Sequence, residues 1–243
     1  MATTMNTRNS ITVGVVLLAT LAGTVANATD AYSSATPPAF SNELRVGVYF
    51  LQYHVSADDL TGPYVPPGVN IDVNNVSTPY FAYTRRLAPH WVAQLAAGIP
   101  PKTETVGKGP ATVGSVPFEG QVVSTAKWLS PSLLVNYVFR DEAGTWRPYL
   151  GVGINYTKFY DLQSTAAGNA ANGGPTAISL TSSVGPVVTA GVRWHIKDHW
   201  SAYASYDYAM VNTDYTGNTA GVIRRTTIKF NPSTLVLSVG YAF

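Results

Sequence analysis

The chain closes with Thr234-Leu-Val-Leu-Ser-Val-Gly-Tyr-Ala-Phe243. Side chains alternate across an extended strand with period two. Leu235, Leu237, Val239, Tyr241 and Phe243 therefore share one face, and Thr234, Val236, Ser238, Gly240 and Ala242 share the other. The first face is bulky and apolar, the second mostly small. A half-buried strand of a soluble sheet places charged or large polar groups on its second face, and this one has none. Two environments fit: a wall between a greasy medium and a confined space, or the core of a β-sandwich.

Seven earlier segments carry the same alternation. They are Leu44 to His54, Pro79 to Leu87, Trp91 to Ile99, Trp128 to Phe139, Pro148 to Asp161, Val187 to Lys197 and Trp200 to Asn212. The closing strand enters at Thr226 to Phe230, with a break at Pro232. Each is near the 9–11 residues with which a tilted strand crosses a bilayer. The connections alternate in length. Ala88 to His90, Arg140 to Thr145 and Asp198-His199 are short, whereas Val55 to Thr78, Pro100 to Lys127, Leu162 to Pro186 and Thr213 to Arg225 are long. Short turns on one rim and long loops on the other are the pattern of an outer-membrane barrel. A sandwich gives no reason for it. The terminal Phe243 and the aromatics near strand ends, such as Trp91, Tyr137, Trp146, Trp194, Trp200 and Tyr241, suit interfacial girdles. Within the long loops, Ala166 to Pro175 reads as mobile and Thr176 to Ser183 as a short helix.

Composition agrees with a membrane setting. Charged residues make up 12% of the 243, about half the usual soluble share. The formal net charge of +2 is too small to imply nucleic acid. Cysteine is absent, which excludes disulfides, thiolate metal sites and a Cys nucleophile. Residues 1–28 read as a cleaved signal peptide: Arg8, then the uncharged Ile11 to Ala22, then Ala26-Asn27-Ala28. That apolar run is too short for a membrane helix, which needs about 20 residues. No later run is longer, so a membrane-embedded mature chain has to be a closed barrel. The expected organisation is a signal peptide at 1–28, a short periplasmic segment at 29–43, and a barrel at 44–243. That barrel is an eight-stranded antiparallel transmembrane β-barrel with short periplasmic turns and long extracellular loops.

Arg147-Pro-Tyr-Leu-Gly-Val-Gly-Ile-Asn-Tyr-Thr-Lys-Phe-Tyr-Asp161 resembles the most recognisable strand of the OmpW family of outer-membrane proteins. Leu129 to Phe139, His199-Trp200 and Phe230-Asn-Pro-Ser with Gly240-Tyr-Ala-Phe243 add to the likeness, which runs from about Arg45 to the end. The resemblance implies an eight-stranded barrel with a narrow, partly apolar lumen. It also implies passage of small hydrophobic molecules across the outer membrane of a Gram-negative bacterium.

Such a lumen is only wide enough for side chains, with room for one small ligand. A wide aqueous pore is excluded on size. Parity sends Arg45, Arg193, Lys197, Asp161 and Asp207 inward, together with Tyr49, Leu51, Tyr53, Tyr149, Phe159 and Tyr203. Unpaired charges there are costly, so Arg193 and Asp207 are expected to share one network. Leu51, Tyr53, Tyr149, Phe159 and Tyr203 are the expected lining of a solute path. The rival reading makes them a plug, and the barrel a non-conducting surface protein for adhesion or envelope integrity. A lipid-acting hydrolase is less favoured. His195, Ser201 or Ser205, and Asp207 share the inward face, but no esterase motif surrounds them. His54, His90, His195 and His199 lie near strand ends without metal-ligand spacing. No catalytic residue, cofactor or metal is expected. The expected partners are outer-membrane lipid and lipopolysaccharide, small hydrophobic solutes, and the barrel-assembly machinery, reached through the strand ending in Phe243. The barrel is expected to be a monomer.

Overall fold

The computed structural model describes residues 41–113 and 115–243. The predicted signal peptide and all but the end of the predicted segment at 29–43 lie outside the described residues. Eight strands form the wall: Asn42–Gln52, Val76–Ala88, Trp91–Gly98, Ser132–Val138, Trp146–Ser164, Ser183–Lys197, Trp200–Ala209 and Ser233–Ala242. Each pairs antiparallel with its neighbours in chain order, and the last returns to the first, from Glu43↔Ala242 to Gln52↔Ser233. The sheet therefore has no edge at this level. Closure leaves no row of amides facing hydrocarbon.

Parity decides the two faces. Leu44, Val46, Val48 and Phe50 of the first wall strand are exposed, as are Leu235, Leu237, Val239 and Tyr241 of the last. Between them on the same strands, Arg45, Tyr49, Leu51, Val236 and Ser238 are buried. The same apolar band continues through Leu95, Leu133, Val135, Leu150, Val152, Ile154, Val188 and Tyr206. At the rim of short turns, rings pack on one another. Trp146 stacks on Trp194 with centroids 5.0 Å apart, Trp91 meets Tyr137 edge-on, and Trp200 meets Tyr241. Two of the histidines fasten this rim: His90 Nδ1 lies 2.8 Å from the Val138 carbonyl and His199 Nδ1 lies 2.7 Å from that of Ala242.

The structure differs from the sequence reading above the membrane. Most of the long connections are not loops. Asn212–Thr219 and Val222–Lys229 form a hairpin that joins Thr176–Leu180 and Ser56–Ala57 in one sheet. Val122–Leu129, Lys102–Lys108 and Asn70–Val73 continue the wall sheet itself, in that order, from the upper part of the fifth wall strand. These strands carry Thr, Val and Ile, which favour extended backbone. Standing in water, they lack the continuous greasy face that marks a membrane strand. The predicted helix at Thr176 to Ser183 is strand over Thr176–Leu180. The stretch read as mobile is the helix Ala166–Asn172. Thr165 caps it by accepting a hydrogen bond from the Gly168 amide, and Gly173 ends it at φ 79.

Three local shifts bear on the lumen. The first strand begins at Asn42, earlier than Leu44, and so brings Glu43 inside. Asp161, expected inside, adopts φ 51 at a register shift between Tyr160 and Gln163, and lies exposed. Lys197, also expected inside, is exposed at the rim.

Leu237 sits mid-strand on the outer face, opposite Val48. Leu237→Arg is expected to destabilise the inserted barrel by about 2–4 kcal/mol, the depth-dependent cost of a basic side chain facing lipid. Urea titration of protein folded into vesicles measures it. An arginine in place of the water-exposed Ser179 should cost nothing measurable.

Candidate functional site

A polar layer crosses the lumen. Arg45 is 2% exposed, a large cation held inside a cylinder whose outer face is apolar. Its Nη1 donates to Gln94 Oε1 at 3.2 Å, and its Nη2 and Nε donate to Ser238 Oγ at 3.1 and 3.3 Å. Gln94 is donated to by Asn136 at 2.9 Å and itself donates to the Tyr80 hydroxyl at 3.1 Å. The guanidinium lies 3.8 Å over the Tyr203 ring centroid. The Tyr203 hydroxyl donates to Glu43 Oε2 at 2.9 Å, and Arg193 Nη2 stands 3.8 Å from the same oxygen. A charge buried in this way is tolerable only when its donors are used and a countercharge is close. Here the groups come from seven of the eight wall strands, so the layer also ties the cylinder together.

Small residues make room for it. A Cβ on Gly151 would collide with the Asn136 side chain, and one on Gly191 would lie 2.5 Å from Tyr149 Cζ. Ser238, Gly240 and Ala242 lie on the inward face of the closing strand, with Gly240 against Glu43.

A cavity lies on each side of the layer, and the two have no lining residue in common. The lower one, about 100 Å³, opens toward the short turns and is lined by charged groups such as Arg86, Arg147, Arg193, Glu43 and Glu142. The upper one, also about 100 Å³, is lined mainly by Tyr49, Leu51, Tyr53, Trp128, Phe159 and Phe230. Above it follows a smaller cavity of about 70 Å³ that shares Val73, Leu180 and Phe230 with it. The upper column is thus mainly apolar, although Asp207, Asn155 and several Ser and Thr side chains also line it, and it lies between the polar layer and the smaller cavity above. Tyr53 meets Phe230 edge-on at 6.2 Å and Phe159 lies 5.5 Å from the same ring.

The wall beside the upper cavity is incompletely laddered. The third and fourth wall strands pair up to Ala96↔Ser132. Pairing resumes only at Lys102↔Lys127, in the extension above. The intervening residues include Pro100, Pro101 and Pro131, which have no amide to donate. Ala97, Trp128, Ser130 and Ser132 line both this interval and the cavity.

The residues singled out from sequence fall into two groups. Leu51, Tyr53 and Phe159 line the upper cavity, whereas Tyr149 and Tyr203 line the lower one. The structure does not bring Arg193 and Asp207 together. Arg193 lies opposite Tyr203 in the strand register and Asp207 opposite Thr189, four residues along, or roughly 13 Å. Arg193 Nε donates to Ser201 at 2.9 Å and its countercharge is Glu43. Asp207 accepts from the Thr189 hydroxyl. The same register separates the parts of the hydrolase reading, since Asp207 is as far from His195 as from Arg193 or farther. Asp161 pairs outside the lumen with Lys127 at 2.9 Å, and that hydrogen bond holds its carboxyl below the usual carboxylate range. Sequence reasoning missed Glu43, Gln94, Asn136 and Arg147 as members of the site. Their inward parity was the available signal.

The OmpW family model matches residues 70–243, most of the chain. The chain belongs to the OmpW family. It is 31% identical to outer membrane protein W of Vibrio cholerae over 121 residues, which is 50% of this chain and 55% of that protein. It is 29% identical over 119 residues to the dibenzothiophene metabolism operon protein PahQ of Pseudomonas aeruginosa, 48% of this chain and 52% of the relative. The matched segments thus span about half the length of these curated relatives. Among solved structures, OprG from Pseudomonas aeruginosa superposes with a TM-score of 0.75 at 21% identity, covering 84% of this chain and 96% of that one. This likeness concerns the fold. An OmpW-family barrel is a protein of the Gram-negative outer membrane, and its extended sheets therefore face the outside.

Arg45→Met removes the hub of the polar layer and leaves Gln94 and Ser238 short of partners. The expected cost is about 1–3 kcal/mol for each buried group left unsatisfied, read by denaturant unfolding. In planar bilayers the same variant should pass small ions severalfold faster than the native barrel.

Proposed function

We propose that the barrel carries small hydrophobic molecules from the cell exterior into the outer membrane through its upper apolar column. The observation that carries the reading is the contrast across the polar layer. Above it the lining is mainly aromatic and aliphatic, with Asp207 and Asn155 among a minority of polar groups, and below it the lining is rich in charge. An apolar solute gains by leaving water for Leu51, Tyr53, Trp128, Phe159 and Phe230, at about 25 cal/mol per Å² of surface removed. It gains nothing by crossing a layer of hydrogen-bonded charge. Exit by way of the unladdered interval near Ala97, Pro100, Pro101 and Pro131 requires no break in that layer and no broken strand pairing. Membership of the OmpW family is in keeping with a small-molecule channel. A relative named for dibenzothiophene metabolism points to flat aromatic cargo.

Flux of a fluorescent polycyclic aromatic tracer into proteoliposome membranes tests this. Leu51→Arg and Phe159→Arg should each reduce protein-dependent flux to the protein-free rate. Tyr149→Ala, which lies below the polar layer, should leave it unchanged. A rise in flux on Tyr149→Ala would mean that solute runs the full length of the lumen. Flux that survives both arginine substitutions would remove the reading.

The polar layer also favours a second reading, a non-conducting barrel that displays its extracellular sheets to a surface partner. Under it, deleting Ala166 to Gly174 abolishes activity in cells while the barrel stays folded.

Lys102 and Lys127 are cross-strand neighbours, and Lys158 lies on the adjoining strand, all outward at the top of the apolar band. This is the height of the outer-leaflet headgroups, so lipopolysaccharide phosphates are the partners we assign to them. The alternating closing strand ending in Phe243 is the segment we assign to recognition by the barrel-assembly machinery, and the closed wall fits a monomer.

A further inference from the structure

The lower cavity contains a charge arrangement that the transport reading does not use. Arg147 and Arg193 are directly opposite each other on neighbouring wall strands, and both line the cavity. Like charges placed opposite in a sheet repel. Arg193 has Glu43 as a countercharge, at 3.8 Å, and shares it with the Tyr203 hydroxyl. Glu142 is engaged by Arg86. Among the described residues, no carboxylate lies within 4.0 Å of Arg147.

Arg147 is nonetheless only 6% exposed. Its Nη2 donates to the carbonyls of Pro89 and Arg140, at 3.1 and 3.2 Å. Its Nε, buried, has no hydrogen-bond partner in the protein. A buried guanidinium with an unused donor, opposite a second guanidinium, lacks one thing: a small anion able to accept hydrogen bonds from both. The cavity of about 100 Å³ has space for a compact anionic group. Arginine forks match planar or tetrahedral oxyanions, taking two oxygens at once.

We infer that the periplasmic cavity is an anion site, in which Arg147 and Arg193 together hold one oxyanion of the carboxylate or phosphate class. Bound there, the anion neutralises the cross-strand arginine pair. It sits below the polar layer and outside the apolar column, so it does not compete with a hydrophobic solute above. Glu142, on the adjacent turn, is the gatepost that opposes it by its own negative charge.

Labelled protein in nanodiscs of zwitterionic lipid tests the site. Inorganic phosphate and benzoate are titrated separately, each against chloride at matched ionic strength, and backbone amide shifts at Arg147, Arg193 and His90 are followed. Saturable shifts at these positions with either anion, absent with chloride, are expected. Phosphate alone producing them assigns the site to phosphate groups, and benzoate alone assigns it to carboxylates. Arg193→Gln should weaken binding about tenfold or more, since one of two charged partners is lost. Its fold is checked by heat-modifiable gel mobility. If that variant does not fold, Glu142→Gln decides, with tighter binding expected. No saturable shift beyond the chloride control overturns the site. So does unchanged affinity in a folded Arg193→Gln protein, or, where that variant fails, in Glu142→Gln.

Discussion

A backbone amide inside hydrocarbon has no water to bond with, and everything in this barrel follows from that. The wall has to close on itself, and it does so through the pairing of Asn42–Gln52 with Ser233–Ala242. Closing with eight strands sets the bore, and the bore admits about one layer of side chains. Large inward residues then need small ones facing them, as Tyr149 needs Gly191 and Asn136 needs Gly151. Alternation outward is chosen by lipid, and alternation inward by crowding.

Within that bore, the large apolar residues gather above the Arg45 layer and most charges lie at or below it, with Asp207 above it bonded to Thr189. The Arg45 layer is polar and interlocked, and the column above it is aromatic. Sorting has an energetic logic. A buried guanidinium needs its partners close together, and an apolar solute needs a stretch of wall that offers no competing donors. The lower cavity is the remainder of this sorting, with more guanidiniums than its carboxylates pair directly.

How much was legible in the sequence depended on what each residue faced. Leu44 to Phe50 and Leu235 to Tyr241 were readable because lipid demands an unbroken greasy face. Thr213 to Lys229 was not, because its outward side chains meet water and water accepts either kind. Parity also gave the inward set, Arg45, Tyr49, Leu51, Tyr203 and Asp207 among them. It says nothing of height, however. Arg193 and Asp207 share a face but lie at different levels, and so do Leu51 and Tyr203. Parity also fails past a bulge, which is why Asp161 turned out to face away from the lumen. Glu43 was missed because it fell just outside the predicted strand, although its parity with Tyr49 and Leu51 was open to inspection.

One feature of the wall reaches beyond the lumen. The long strands are interrupted at nearly one height, at Pro100-Pro101, Ser130-Pro131, Thr181-Ser182, Met210-Val211 and Phe230 to Pro232. Only the fifth wall strand, Trp146–Ser164, runs through the level unbroken. Mechanically this is a joint with a single continuous spar. Tilting of the storey above it strains few ladder bonds below. A change of length or register in the upper sheets stops at the joint instead of propagating into the cylinder. The surface-exposed storey is therefore free to diversify, or to be exchanged by design, while the membrane storey keeps its register.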